Sequence, residues 1–251
     1  MTGPIRKRLK MILLPGWACT ARVWADVLPR LEEFAVPEPM DLPVVTTGKA
    51  DATLPHLAGQ LLMAAPHDAL WIGWSLGGLV AAQAAFMAPR RIRALVLVAC
   101  TPKFTRGPDW PCATAPDLFA GFQRALAKDR AGALRRFAAL CAHDGSRADV
   151  SITRGLTQAL QSSRESNGAN LEAGLKILEH TDLRLNFRAL SCPLLCILGG
   201  GDMLVPIDVA GAIAALNPRI RVTRIADAGH APFMSHPAGF AAVVREFCDG
   251  L

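Results

Sequence analysis

The sequence predicts an α/β fold: a mainly parallel, doubly wound sheet of about six strands, with a block of helices inserted between two of them. Three observations carry this. Short apolar runs alternate with helix-compatible stretches through the first hundred or so residues and again after Leu190, the order that right-handed βαβ crossovers require. Two of the runs, Ala94–Ala99 and Pro193–Leu198, are apolar almost without a break, as expected of parallel strands covered on both faces. Between Thr101 and Leu190 the alternation stops, and only helical patterns broken by Pro, Gly and Asp remain.

Taken in order, the first core strand is Met11–Leu14, and Pro15-Gly16-Trp17-Ala18 turns the chain toward a helix predicted over Ala21–Leu31. Phe34–Met40 is a second strand, but Pro37 and Pro39 cannot donate to a ladder. Because they are two residues apart, their missing donors face one side, so this strand pairs by its other side and belongs at a sheet edge. A helix over Leu54–Ala65 leads into the strand Asp68–Gly73, and after Ser75 a helix-forming stretch, Leu79–Ala88, is stopped by Pro89. Ala94–Ala99 follows. The inserted block reads as helices over Asp117–Ala127, Ala131–Leu140, Ile152–Ser162 and Leu171–Glu179. Pro193–Leu198 and the weaker Ile220–Ile225 complete the sheet. The expected organisation is residues 1–102 and 189–251 as two parts of one sheet domain, with residues 103–188 as a helical cap over its carboxyl edge. Only about ten residues precede the first core strand, too few for a leading hairpin.

With 251 residues, 51% of them hydrophobic, the chain can bury a substantial core. No apolar run approaches the roughly 18 residues that span a bilayer. The basic start Arg6-Lys7-Arg8-Leu9-Lys10 leads only into Met11–Leu14, which is short for a signal peptide. Seven cysteines, an odd number without C-x-x-C pairs, read as reduced, mostly buried thiols of a cytoplasmic protein. A net charge of +6 is compatible with nucleic acid, a membrane surface or an acidic protein. The lack of a zinc-finger spacing, of an aromatic-rich basic motif and of any tyrosine argues against nucleic acid. Neither an H-E-x-x-H helix nor a His/Cys/Asp cluster points to a metal, and no cofactor is expected.

The chemistry centres on Gly73-Trp74-Ser75-Leu76-Gly77-Gly78, which has the form G-x-S-x-G and runs from a strand into a helix. Such a serine sits on a strained turn that should expose its hydroxyl. A serine hydroxyl needs a base within hydrogen-bond reach, and the base needs a carboxylate to orient it. On a sheet of this kind the chain order is serine, acid, histidine. Asp202 follows Gly199-Gly200-Gly201 at a strand's carboxyl end and is the acid; Asp208, read as lying inside the next helix, and Asp227, a turn residue, are set aside. His230, between the last strand and the last helix, is the base, whereas His56, His67, His143, His180 and His236 lack strand-end placement. Charge developing on an acyl oxygen needs two converging donors, and the backbone N–H groups of Leu76 and Trp17 are placed to supply them.

These positions together resemble the α/β-hydrolase superfamily, and the finer wording is similar to its biotin-pathway esterases. The segments that carry this are Gly73–Val80, Asp109-Trp110-Pro111, Leu118–Gln123, Gly174–Leu178, Thr181–Arg184 and His230–Pro237, within a similarity over roughly residues 11–247. The resemblance implies an α/β-hydrolase fold and hydrolysis of the methyl ester of pimeloyl-acyl carrier protein; a monomer is expected. It implies a triad of Ser75, Asp202 and His230. Oxyanion and substrate contacts fall to Trp17 and Leu76, and an acyl-channel wall to Phe137, Ala138, Ala139, Leu140 and Cys141. Two departures stand out: Pro15 replaces the usual His before Gly16, and Asp41–Gly48 replaces a G-x-G-x-S loop. The residues also leave open an esterase for small soluble esters or a carbon–carbon bond hydrolase on the same triad. A non-catalytic binding protein would not need all three triad residues. From Lys103 to Arg154 nine basic residues face five acidic ones. An acyl carrier protein is strongly acidic, so Arg130, Arg135, Arg136 and Arg147 are expected to dock it, with Arg136 foremost.

Overall fold

The computed structural model describes residues 8–44, 53–162 and 168–251. Arg6 and Lys7 of the basic start, and Val45–Gly48 of the divergent loop, lie outside the described residues. In chain order the sheet is built from β1 (Leu9–Leu14), β2 (Ala35–Pro39), β3 (Ala69–Trp74), β4 (Ile92–Val98), β5 (Leu194–Gly199) and β6 (Ile220–Ile225). They pair as β2-β1-β3-β4-β5-β6, every neighbour parallel. No strand precedes β1 among the described residues.

Burial follows position in the sheet. Every residue of β3 and β5 is buried, whereas β2 and β6, at the two edges, mix buried and solvent-facing positions. The prolines of β2 sit opposite Met11 and Leu13 of β1, and β2 is indeed an edge, where a missing donor faces no partner strand. The helices that cross between strands are α1 (Leu28–Leu31), α2 (Leu54–Ala64), α3 (Leu76–Met87) and, beyond the inserted block, α9 (Val209–Leu216); α10 (Pro232–Ser235) and α11 (Pro237–Asp249) follow the last strand. The helix expected over Ala21–Leu31 is instead a 3-10 turn at Ala21–Trp24 followed by α1. Pro29 explains the break. It has no N–H to bond four residues back and its ring would meet that carbonyl, yet it is tolerated in the first turn of a new helix, where it stands.

Between β4 and β5 lie α4 (Pro116–Lys128), α5 (Arg130–Cys141), α6 (Val150–Ser162), α7 (Gly168–His180) and α8 (Arg184–Ala189). The first four match the expected helices within a few residues; α8 was not foreseen, because six residues carry too little periodicity. Two stems meet at the base of this block. The Leu183 N–H donates to the Pro102 carbonyl at 2.8 Å, and the Thr105 hydroxyl to the Glu179 carbonyl at 3.0 Å. Arg184 clasps Asp182 and Asp109, Lys103 lies within 3.6 Å of Asp109 and 3.5 Å of Asp182, and the Arg184 guanidinium sits 5.7 Å from the Trp110 ring centre. None of the seven cysteines is in a disulfide. Burial pushes the thiols of Cys19 and Cys196 up to about 12, and those of Cys192 and Cys248 to about 11.

Candidate active site

The chain leaves β1 for β2 on one side and returns through β3 on the other. Open α/β sheets carry their ligands in a crevice at such a switch point, beyond the strands' carboxyl ends. Ser75 stands there, directly after β3, with φ +53° and ψ −115°. A non-glycine residue in that region stores about 1–3 kcal/mol and is kept only where its surroundings over-determine it. Two constraints do so. The Ser75 N–H donates to the Val98 carbonyl at 2.9 Å. A Cβ on Gly73 would run into the Gly77 carbonyl, and one on Gly77 into the carbonyl of Pro15. These glycines therefore bring the loop after β1 against the start of α3. The Ser75 side chain makes no capping bond to that helix. Its hydroxyl was expected to be exposed, but the residue is only 3% exposed, because helices of the inserted block lie over the elbow.

Asp202 and His230 come from two further strand ends. The Asp202 carboxylate accepts the backbone N–H groups of Leu204 and Val205 on Oδ1, at 2.7 and 2.9 Å, and faces His230 Nδ1 with Oδ2 at 2.7 Å. An ionised carboxylate only accepts, so Nδ1 carries the proton and Nε2 is left as the basic nitrogen. Nε2 is buried without a hydrogen bond among the described residues. His230 is fixed by its backbone too: its N–H donates to the Cys141 carbonyl at 3.1 Å, and its carbonyl accepts the Trp74 indole N–H at 2.7 Å. Asp208 precedes α9 instead of lying within it, and Asp227 is in a turn.

Ser75 and His230 line one narrow, largely apolar cavity of about 30 Å³, room for roughly a single water. Its walls are Trp17, Phe104, Phe137 and Leu204, with Leu118, Phe119 and Phe122 from α4 and Leu175 and Leu178 from α7. Leu76 is the first residue of α3, so its N–H has no partner within the helix, and Trp17 heads the loop after β1. Neither amide donates to another group among the described residues. The Trp17 indole is buried, donates to the Leu171 carbonyl at 2.8 Å, and meets the Phe137 ring edge-on at 4.9 Å.

Of the five consecutive residues expected to wall the channel, only Phe137 reaches the cavity. Ala138 is fully buried in the core, Ala139 and Leu140 are half-buried, and Cys141 contributes its carbonyl to His230. The reason is geometric: α5 is a helix, and consecutive side chains diverge by about 100°. Burial holds the Cys141 thiol well above its ordinary value. Arg135 and Arg136 point outward from α5, Arg130 starts that helix half-exposed, and Arg147 is exposed in the turn after it. Sequence reasoning missed Trp74 as a clamp on His230, and left Leu118, Phe119 and Phe122 without a role although their wording was distinctive. No group of three or more His, Cys, Asp or Glu side chains among the described residues could hold a metal.

The alpha/beta hydrolase fold family matches residues 50–237, and the chain belongs to it. Within that class its relatives carry a narrower name. The "Pimeloyl-[acyl-carrier protein] methyl ester esterase" of Edwardsiella ictaluri is 39% identical over 96% of this chain and 93% of its own length. The protein of the same name in Xanthomonas oryzae pv. oryzae is 38% identical over 94% of each chain. Among solved structures, a bromoperoxidase from Bacillus anthracis superposes with a TM-score of 0.86 at 19% identity, covering 97% of this chain and 92% of its own. An esterase from Exiguobacterium antarcticum gives 0.84 at 16% identity, covering 95% and 91%. At such identities the likeness is one of fold.

Proposed function

We propose that the protein is a serine carboxylesterase that hydrolyses the methyl ester of pimeloyl-acyl carrier protein, releasing methanol and the free carboxylate for biotin synthesis. The observation that carries the chemistry is the buried Asp202–His230 pair, whose remaining imidazole nitrogen has no hydrogen-bond partner among the described residues, with His230 and Ser75 lining one cavity. The names borne by relatives of nearly the same length carry the substrate. Ser75 Oγ attacks the ester carbonyl while His230 Nε2 takes its proton, and the N–H groups of Trp17 and Leu76 hold the oxyanion. The tetrahedral intermediate collapses by breaking the bond to the methoxy oxygen, which leaves as methanol with the proton from His230. Water, deprotonated by the same nitrogen, then attacks the acyl-enzyme and releases the acid. Asp202 keeps the tautomer and stabilises the imidazolium.

Residues 103–188 act as the cap over this cavity, with Phe137 against the acyl chain. Arg130, Arg135, Arg136 and Arg147 attract the acidic carrier protein, and the enzyme works as a cytoplasmic monomer. The reading is tested by complementing a biotin-requiring strain that lacks its esterase, and by assaying methanol release from the carrier-borne ester. Wild type should restore growth and Ser75→Ala should not. Turnover of small soluble esters without any on the carrier substrate would overturn the substrate assignment.

A further inference from the structure

Gly174 lies in the interior of α7, a position where glycine weakens a helix relative to alanine. Here the space of the missing side chain is already taken. A Cβ on Gly174 would lie 2.6 Å from Trp17 Cδ1, 3.1 Å from Trp17 Nε1 and 3.3 Å from Leu76 Cδ2. Those two side chains belong to the two residues whose amides are assigned to the oxyanion. Three residues earlier on the same helix, the Leu171 carbonyl accepts the Trp17 indole N–H at 2.8 Å. One helix of the cap thus grips both oxyanion residues by their side chains.

We propose that Gly174 and the Leu171 carbonyl are positioning residues for the oxyanion hole, acting through the Trp17 indole and the Leu76 side chain. The inference rests on the esterase reading above. Trp17 heads a loop whose next residue, Ala18, has a positive φ of 61°. Outside the sheet ladder, the direction of its backbone N–H depends on where its indole is anchored. The anchor is α7, and α7 also walls the cavity beside Ser75 with Leu175 and Leu178. Seating the cap helix and aligning the oxyanion donors are therefore one event. A side chain at position 174 would push the indole away and move the amide with it. Misplacing a catalytic group by about 1 Å can cost on the order of a hundredfold in rate.

The test is Gly174→Ala in the full chain, assayed on a small chromogenic ester and with a trifluoromethyl ketone, whose hemiketal oxyanion needs the same two amides. We expect kcat to fall by about tenfold to a hundredfold, KM to stay within about threefold, and inhibitor affinity to weaken in step with kcat. Adding Trp17→Phe, which makes room for the new methyl group, should recover part of the loss. Wild-type kcat in Gly174→Ala, or a loss of kcat with unchanged inhibitor affinity, overturns the proposal. Should Gly174→Ala fail to fold, Trp17→Phe is compared with Trp17→Phe/Gly174→Ala. A double variant that folds and works within about threefold of its parent supports the seat, and one that repeats the failure overturns it. Ser75→Ala separates the two levels. If it keeps the wild-type rate, the esterase reading itself fails; if it is inactive while Gly174→Ala is normal, only the positioning role fails.

Discussion

Ser75 has a strained backbone, a side chain free of helix capping and, lining the same cavity, the His230 imidazole, whose Nδ1 faces the Asp202 carboxylate. Each property leads to a measurable consequence. Ser75→Ala and His230→Ala should abolish nearly all ester turnover; Tm should stay close to wild type for Ser75→Ala, a small side chain, and fall for His230→Ala, which leaves the buried Asp202 carboxylate without its partner. Asp202→Asn should cost about 10²–10⁴ in kcat, less than either, since the amide favours the wrong tautomer but leaves nucleophile and base present. Steady-state kinetics and thermal melts of the three variants check this, and full activity in any one would remove that residue from the mechanism. The Gly73 and Gly77 contacts show why the motif needs its glycines: each stands where another backbone already occupies the Cβ position.

At the scale of elements, the inserted helices are held by the clasp at their base. Hydrogen bonding to Arg184 holds the carboxyl of Asp182 below its ordinary value, and the same partner lowers Asp109. A carboxylate whose folded value is depressed contributes stability above its unfolded value, near 4, and loses it as pH falls through the folded value. Arg184, itself pushed up, stays charged throughout. Arg184→Ala should therefore lower Tm by about 2–6 °C at pH 6, and the gap from wild type should narrow as pH falls below about 4. A gap that persists at pH 2 in thermal melts would assign the loss to packing on Trp110. The outward arginines of α5 make a separate prediction. Arg136→Glu, alone or with Arg135→Glu, should reduce kcat/KM for the carrier-borne ester about tenfold and spare a small chromogenic ester. Raising salt should imitate the mutation on the carrier substrate alone. Equal losses on both substrates would make the arginines structural, and no loss would move the docking surface elsewhere.

Across the whole molecule, one sheet edge collects the candidate site residues. β1 brings Trp17, β3 brings Ser75, β5 brings Asp202 and β6 brings His230, each in the segment after the strand. The reaction drawn from them is acyl transfer to water and calls on no metal, so incubation with a chelator should leave the rate unchanged. A loss restored by added metal, measured in the same ester assay, would reveal a site that the mechanism lacks.

The strands, the edge position of β2 and a candidate triad were legible in the sequence. Apolar runs, paired prolines and a glycine-flanked serine act within a few residues, where sterics and hydrogen bonding are local. Chain order then selected Asp202 and His230. What only the tertiary structure decided lies in contacts between distant segments. The Trp17 indole meets a carbonyl 154 residues away, and the Trp74 indole meets His230 across 156. Burial of Ser75, the one residue of the Phe137 segment that lines the cavity and the contacts of Gly174 with Trp17 and Leu76 belong to the same group. No local pattern encodes them, because they depend on which face of each inserted helix comes to rest on the sheet, and that is settled only when the whole core packs.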